Sequence, residues 1–536
     1  MGINKKIFLR EATGLRKELS TIDAFGINLL TVNIGLGIVF LAFLAPTSFP
    51  GGDMFFGTIL TTIGSLIFAL TWGYLAASMP RLGGDYVYVS RILHPLLGFI
   101  SNWSVVFFSW LFDVVAIYYF VTGALSPSLY ALGYLANSPA IDAIASGVTK
   151  PLAIFVIGVT IIGIVTVIIL ISTKAFLYVI RGIWVVGVIG AFLSLVVLLT
   201  TSPARFITVI NAYALKTAGV DDYYSKILQS GLSGFEPVHT LSFATIQIIP
   251  LAFFSLGYAF YSSYVGSEIR NAPRAQLLGM SLSVVVSGIF IALLALAFEK
   301  ALTYKFLYAL TNTYFSNPAT YALPSPPYIN FFAILASNSV LLGVLIMLGF
   351  LAWGVIWVGM GTFLQPRNMM AWSFDRIAPA FLGRVHERFN TPHNGIIISF
   401  IGHFVLFLLT FVIGSFILGL SAVTGNVLFT FIPIGLTAML FPYRRADIFS
   451  NQPPYITKRI GKVPVITVLG LVSLLFILLN GYLFLVYPAY GANSIPSLEV
   501  IAGIVLLGVV WFYAFRTFRI RQGLDVFAAF REIPPE

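Results

Sequence analysis

Two apolar stretches of this chain carry glycine and polar side chains where an unbroken helix in hydrocarbon would carry neither. They are Thr31-Val32-Asn33-Ile34-Gly35-Leu36-Gly37-Ile38 and Phe253-Phe254-Ser255-Leu256-Gly257-Tyr258-Ala259-Phe260. Glycine has no side chain to hinder approach to the backbone. A helix that unwinds at such a point splits into two halves. The half that begins there presents N–H groups and a positive dipole end, which suit a carboxylate. The half that ends there presents carbonyls, which suit an ammonium group or a sodium ion. Two such breaks together fit a zwitterion of amino-acid size. Each glycine taken alone is also explained by close helix packing. Both breaks in corresponding helices favour the unwound reading.

Other residues are candidates for chemistry. Asp113 lies inside Phe108-Ser109-Trp110-Leu111-Phe112-Asp113-Val114-Val115, far from either end of its apolar run. A carboxylate there costs a few kcal/mol or more unless it faces the bundle interior or a wet cavity. It either binds a substrate ammonium or carries a coupling proton, or it is a structural partner to a hydroxyl or backbone group. Trp353 and Trp357 are one turn apart on one helix face and line a cavity or face neighbouring helices. Arg81, Asp85, Glu268 and Arg270 stand at helix ends, either as a gate of ion pairs or as simple anchors. Enzyme chemistry has little to work with. His386-Glu387 is not followed by a second histidine at metalloprotease spacing, and no phosphate-binding Walker loop or nucleophile elbow occurs. There is no cysteine, which removes disulfides and thiolate ligands. No enzyme activity, cofactor or metal is expected.

The elements that must position these residues are membrane helices. Of 536 residues, 59% are hydrophobic and 9% charged, against about 25% charged in a soluble domain. Twelve spans are read, at roughly 22–45, 54–78, 96–125, 151–172, 175–200, 242–267, 276–298, 328–364, 394–414, 416–441, 463–487 and 498–518. They are numbered helix 1 to helix 12. Net charge is +11, and its distribution explains it. With the N-terminus inside, 24 of 30 basic residues fall on the cytoplasmic side, and only Lys150, Arg205, Lys216, Lys226, Lys300 and Lys305 fall outside. This is the positive-inside pattern, so nucleic acid is not a partner. The expected molecule is an all-α, multi-pass protein of the plasma membrane with both termini cytoplasmic. Helices 1–5 (22–200) and 6–10 (242–441) form two halves of opposite topology, because the breaks fall in helices 1 and 6. Between the halves lies an extracellular loop (201–241). A cytoplasmic loop (442–462), helices 11 and 12 (463–518) and a cytoplasmic tail (519–536) follow, and residues 1–21 precede. Loops 201–241 and 299–327 are expected to cap the outer vestibule.

At these residues the sequence resembles the amino acid–polyamine–organocation superfamily of permeases. The likeness runs from the Gly35-Leu36-Gly37 break to the turn Met79-Pro80-Arg81-Leu82-Gly83-Gly84-Asp85-Tyr86. It continues through Glu268-Ile269-Arg270-Asn271-Ala272-Pro273-Arg274, Pro366-Arg367, Asp375-Arg376-Ile377-Ala378-Pro379 and Thr391-Pro392-His393-Asn394. The resemblance implies a five-plus-five inverted-repeat fold and transport of amino acids or related amines by alternating access. It places Asn33, Gly35, Leu36 and Gly37 around the carboxylate. It gives the carbonyls of Phe254, Ser255, Leu256 and Gly257 to the amine, with Phe254 as an aromatic gate. It puts Asp113 where relatives contact substrate. An aliphatic or aromatic-rich pocket of Phe254, Leu256 and Trp357 is expected to favour neutral substrates. Where relatives often read Gly-Phe-Glu, this chain reads Tyr258-Ala259-Phe260, so a coupling glutamate is missing.

Sodium-coupled relatives use helix 8 hydroxyls, yet no serine or threonine occurs from Leu341 to Gly361. Some relatives have a lysine in that space on helix 5, and this helix 5 has none at mid-depth. Proton symport or substrate exchange remains, with Asp113 as the coupling candidate and sodium unlike the pattern. His403, the one histidine within a span, is placed by the resemblance on a peripheral helix, as a packing or oligomer-contact residue. An amine or polyamine carrier, with Asp113 on the cation, and a non-transporting receptor of the same fold are the alternatives. The expected partners are the small-molecule substrate and membrane lipid.

Overall fold

The computed structural model describes residue 17 and residues 19–533. Most of the expected N-terminal segment and the last three residues lie outside the described residues. Among those described, twelve helices are long and apolar enough to cross a membrane. They are Thr21–Ser48, Met54–Ser78, Pro95–Ala136, Pro151–Ile171, Thr173–Thr200, Phe243–Tyr264, Ala272–Leu302, Val340–Phe374, His393–Ile413, Ile417–Arg444, Val465–Val486 and Ile495–Arg521. Two pairs of consecutive spans are parted by local chemistry. Ser172 separates helices 4 and 5 and caps the second through the amide of Ala175. Gly414, at φ +99°, separates helices 9 and 10 in a conformation that other residues rarely adopt.

Two spans differ from the sequence expectation. Helix 3 continues to Ala136, well past residue 125, through a π-helical segment at Phe120–Leu125. That widening lets the chain carry Pro127, which has no N–H to give to a regular turn. The expected helix 8 is two helices, Ile329–Ser337 and Val340–Phe374. They part at Asn338, which is left-handed, and Ser339 caps the second through Leu342. The second runs ten residues beyond 364, through Pro366. Proline is tolerated in a membrane helix where side chains serve the freed backbone, and the Arg367 guanidinium donates to the Phe363 carbonyl at 2.5 Å.

Burial sorts the helices into an interior set and a lipid-facing set. The apolar windows of helices 1, 3 and 6 are 83, 78 and 78% buried, whereas those of helices 9 and 12 are 28 and 17% buried. Helices 1 and 2 pack tightly on helix 7 through small residues. An added Cβ at Gly279 would stand 3.0 Å from the Phe25 amide nitrogen, and one at Gly288 would collide with Thr62. Between helices 5 and 6 lie short helices at Pro203–Ala218 and Tyr223–Gly231, and a third at Tyr304–Ser316 follows helix 7. The last reaches over helix 1, where Tyr314 and Phe315 pack on Phe43 with ring centroids 5.6 and 5.1 Å away.

Candidate functional site

Both interrupted stretches are discontinuous. Helix 1 is two helices, Thr21–Val32 and Ile34–Ser48, joined by Asn33 at φ 51°. Asparagine is one of the few residues that enters the left-handed region readily, because its short amide bonds locally. Here its Oδ1 accepts the Leu36 N–H at 3.0 Å, capping the second half. Its Nδ2 donates to the Trp353 carbonyl at 2.8 Å. Its own carbonyl takes the Gly37 N–H at 3.0 Å. The amides of Ile34 and Gly35 then stand at the mouth of the half-helix, as the first turn of any helix requires. Helix 6 is regular over Ile249–Leu256, turns at residues 257–260 and resumes as 3₁₀ turns at Tyr261–Tyr264 and Gly266–Glu268. Its closing turn uses the carbonyls of Phe253 and Ser255, through Gly257 and Tyr258 N–H, and not those of Phe254 and Leu256.

The two breaks lie against each other. Ser255 Oγ donates to the Val32 carbonyl and stands 3.2 Å from that of Asn33. Thr31 Oγ1 donates to the Tyr258 carbonyl at 2.8 Å. Asn28 exchanges two bonds with Ser262, each of 2.9 Å. Unwound backbone in hydrocarbon must find donors and acceptors in the protein, and each helix supplies side chains to the other's open main chain. Gly37 faces Ser255, where an added Cβ would meet Oγ at 2.7 Å, and Gly35 faces the Trp353 indole. These glycines therefore serve close packing and the break at once.

An aromatic cluster surrounds the junction. Phe254 packs on Phe40 and Phe112 at 5.0 and 4.7 Å. Trp357 packs on Phe112 and Tyr258 at 4.1 and 5.5 Å, and its buried Nε1–H meets no acceptor among the described residues. Trp353 turns outward to helix 5, donating to the Gly187 carbonyl at 3.2 Å. Above the cluster a small apolar pocket is lined by Phe40, Tyr119, Leu251, Phe254 and Leu420. Asn33, Gly35, Leu36, Gly37, Phe254, Ser255, Leu256, Gly257 and Trp357 thus gather at one place. Asp113 does not join them. The Phe112 ring points into the cluster, and the Asp113 carboxylate instead lies on Gly361 of helix 8 and bonds His403 Nε2 of helix 9 at 2.8 Å.

The basic end of the bundle is closed by polar contacts. The residues proposed as a gate do not pair as a set. Asp85 accepts from Ser101 Oγ at 2.6 Å and from Asn102 Nδ2 at 2.7 Å, fully buried. Burial pushes its carboxyl up to about 7, against the lowering effect of those two donors. Glu268 is held by Arg367 through two oxygens, at 2.7 and 3.2 Å. Arg270 donates to the Lys17 carbonyl at 3.0 Å, and Arg81 to that of Pro80 at 3.3 Å. The strand-like segment at Leu19 bonds Glu268 and Arg270 through the backbone, at 3.0 and 2.8 Å. A second buried pair joins Arg91 to Asp375 at 2.6 Å.

Sequence reasoning took His403 as a packing or oligomer-contact residue and missed its pairing with Asp113, as it missed the Arg367–Glu268 and Arg91–Asp375 pairs. His403 is fully buried on the inward face of helix 9, with Ser399, Phe407 and Thr410, so it is not available to an oligomer contact. The signal for it was a second ionisable side chain in a span at the depth of Asp113. Nothing in the spacing paired Arg367 with Glu268, because the two are 99 positions apart.

Comparison with curated protein sequences finds no significant match. Comparison with protein families matches residues 19–510 to the amino acid permease family. That match takes in both breaks, the turn after helix 2 and the closed basic end, and the chain accordingly belongs to the amino acid permeases of the amino acid–polyamine–organocation superfamily.

Proposed function

We propose that this transporter of amino acids moves its substrate by alternating access around the junction of the two breaks. The carrying observation is that Asn33 and Gly257 interrupt two adjacent helices at one depth, with Ser255 and Thr31 bridging them. The amides of Ile34 and Gly35 meet the substrate carboxylate. The carbonyls of Phe254 and Leu256, unused by the turn, meet its ammonium. Ser255 exchanges its bond to Val32 for one to the substrate. Phe254 and Trp357 cover an apolar or aromatic side chain, which points to neutral amino acids.

Helices 1–5 and 6–10 act as inverted halves, with the basic end and both termini facing the cytoplasm of a plasma-membrane protein. Glu268–Arg367 and the Leu19 contacts form the inner gate, and Tyr314, Phe315 and Tyr328 over Phe43 form the outer one. Transport is proton-coupled or exchanging, with Asp113 in the coupling role; its bond to His403 takes it away from the substrate ammonium and from the amine-carrier reading. The test is uptake of a panel of labelled amino acids into proteoliposomes under imposed proton and sodium gradients. Accumulation of neutral amino acids, competed poorly by amines without a carboxylate, is the expected result. Binding without accumulation or counterflow refutes the proposal.

A further inference from the structure

Asp113 and His403 are the strongest chemistry left over by the junction of the breaks. Their side chains are 1% and 0% exposed, with Oδ2 and Nε2 2.8 Å apart. The rest of the surroundings are poor in charge. Helix 4 has no ionisable residue from Pro151 to Ile171, and helix 10 has none before Tyr443. Helix 12 carries Glu499 near one end and Tyr513, Arg516, Arg519 and Arg521 near the other. On helix 8 the first charge is Arg367, already held by Glu268. On helix 9 the other ionisable group is His393, at its start, and on helix 3 they are Tyr118 and Tyr119, more than one turn beyond Asp113, and Tyr130 and Tyr134, near the far end. The Tyr261 hydroxyl, from the broken part of helix 6, lies 2.5 Å from Ser109, one turn before Asp113.

The histidine has one nitrogen to spare. With Nε2–H donating to the carboxylate, Nδ1 is an acceptor, and it is buried with no partner among the described residues. Between this pair and the basic end lie further buried polar atoms without partners among the described residues. They are Ser399 Oγ on helix 9, one turn from His403, and Thr362 Oγ1, Gln365 Nε2 and Asn368 Oδ1 on helix 8. Asn368 and Gln365 bond each other at 2.9 Å, and Thr362 follows the glycine on which the Asp113 carboxylate rests. Each of these three residues neighbours the next on the helix surface, at spacing three. Buried polar atoms left over in this way are served by internal water. Such atoms strung from a buried acid towards one end of a bundle make a lane for protons.

We infer that Asp113 and His403 together are the proton-coupling site of this transporter, with Nδ1 of His403 as the atom that gains and loses the proton and the Thr362–Gln365–Asn368 face as its route to the basic end. The proton balance is simple. Carboxylate plus neutral imidazole carries charge −1; a proton from the outer solution adds to Nδ1 and makes a neutral imidazolium–carboxylate pair; release to the cytoplasm restores −1. A net charge at that depth is costly and a neutral pair much less so, so the two states favour different packings of helix 3. Phe112 and Ser109 transmit the difference, since they touch Phe254 and Tyr261 on either side of the helix 6 break.

This inference rests on the transport reading, and the experiment separates the two. Wild type, H403Q and D113N are reconstituted with a pH dye in the lumen. Amino acid counterflow, which needs no net proton movement, is measured beside substrate-evoked acidification. Counterflow in both variants is expected within about threefold of wild type, while acidification and proton-driven accumulation fall at least about tenfold. T362V is expected to slow acidification and spare counterflow. Wild type that transports without moving protons, or H403Q that acidifies the lumen like wild type, overturns the inference and leaves transport standing. Wild type with no counterflow and no uptake overturns both. Should either variant fail to fold, the wild-type proton measurement and the other variant still decide.

Discussion

Replacement of Gly35 by alanine tests the junction most directly. The new methyl would stand 2.6 Å from Trp353 Cγ and 2.9 Å from its Cβ. Trp353 has little room to retreat. Its carbonyl holds Asn33 Nδ2 at 2.8 Å, its indole N–H holds the Gly187 carbonyl at 3.2 Å, and Gly187 offers its Cβ position only 3.1 Å from the ring. Overpacking a tight site costs about 1–3 kcal/mol. With the main chain and the indole of Trp353 each held by a hydrogen bond the upper end applies, about 3 kcal/mol, or on the order of 100-fold in an equilibrium constant. The loss is read as substrate affinity in detergent by scintillation proximity, beside thermal unfolding. G26A is the control, because nothing lies within 4 Å of that glycine's Cβ position; it should be neutral or stabilising by up to about 1 kcal/mol. In a W353L background the same G35A change should cost under about 1 kcal/mol, since the clash is gone. Wild-type affinity and stability in G35A, or an unchanged penalty in W353L, would refute the packing argument.

Removing Arg367 leaves Glu268 buried without its cation, so R367A should destabilise by about 3–5 kcal/mol in thermal unfolding, and R367A/E268Q should recover much of that loss. Asp85 makes stability fall with pH. Its folded carboxyl sits at about 7 and ordinarily at 3.8, so the native state keeps a proton that the unfolded state gives up; stability is greatest below about 4, declines to about 7 and is flat beyond, by on the order of 4 kcal/mol in all, and D85N should flatten this profile in a pH series of melting temperatures. W357F keeps the aromatic contacts and drops an unpartnered buried N–H, so it should not lower the melting temperature, while a rise in half-saturating substrate concentration would place that N–H on the ligand. The chain has no cysteine, which gives a clean background for cross-links. Oxidised A24C/G279C, joining helices 1 and 7 at Cβ positions 3.4 Å apart, should still transport, whereas oxidised G35C/W353C, joining helices 1 and 8, should stop until reduced.

The fold was legible because hydropathy carries long-range information on one line of text. A span announces itself by its length. The breaks were legible too, for Asn33 and the flanking glycines are types that tolerate open backbone. What the text withheld is azimuth. Asp113 and Phe112 are adjacent letters, yet on a helix they differ by about 100°, and that angle sends one ring to Phe254 and the other side chain to His403. His403 stands out in the sequence of helix 9, but the direction it faces shows only once helices 3, 8 and 9 are packed. Arg367 followed a proline that reads as a helix stop, and the helix runs through it.

The distribution of polar contacts says which parts move together. Helix 1 is tied to helix 6 by backbone bonds at Leu19, by the paired Asn28–Ser262 exchange, by Thr31 and by Ser255. Helix 7 joins the same unit through Gln276, which accepts from Ser262 Oγ and donates to the Ser262 carbonyl. Most of these ties use main chain on one side, and they recur along the helix, so they do not part singly. Contacts from this unit to helices 3, 8 and 10 are fewer and more scattered. They are Ser109–Tyr261, Glu268–Arg367, Asn33 to the Trp353 carbonyl and Asn426–Tyr258, each resting on one or two side chains. Each is worth about 0.5–3 kcal/mol net and can be exchanged for water or substrate. The seam of easily exchanged bonds therefore runs between helices 1, 6 and 7 on one side and helices 3, 8 and 10 on the other. It passes through the junction of the breaks and beside Asp113. On the proposed mechanism, a substrate that takes over the Ser255 and Asn33 bonds, or a proton that changes how helix 3 packs, would act on that seam, and the ties within each side would carry the change to both ends.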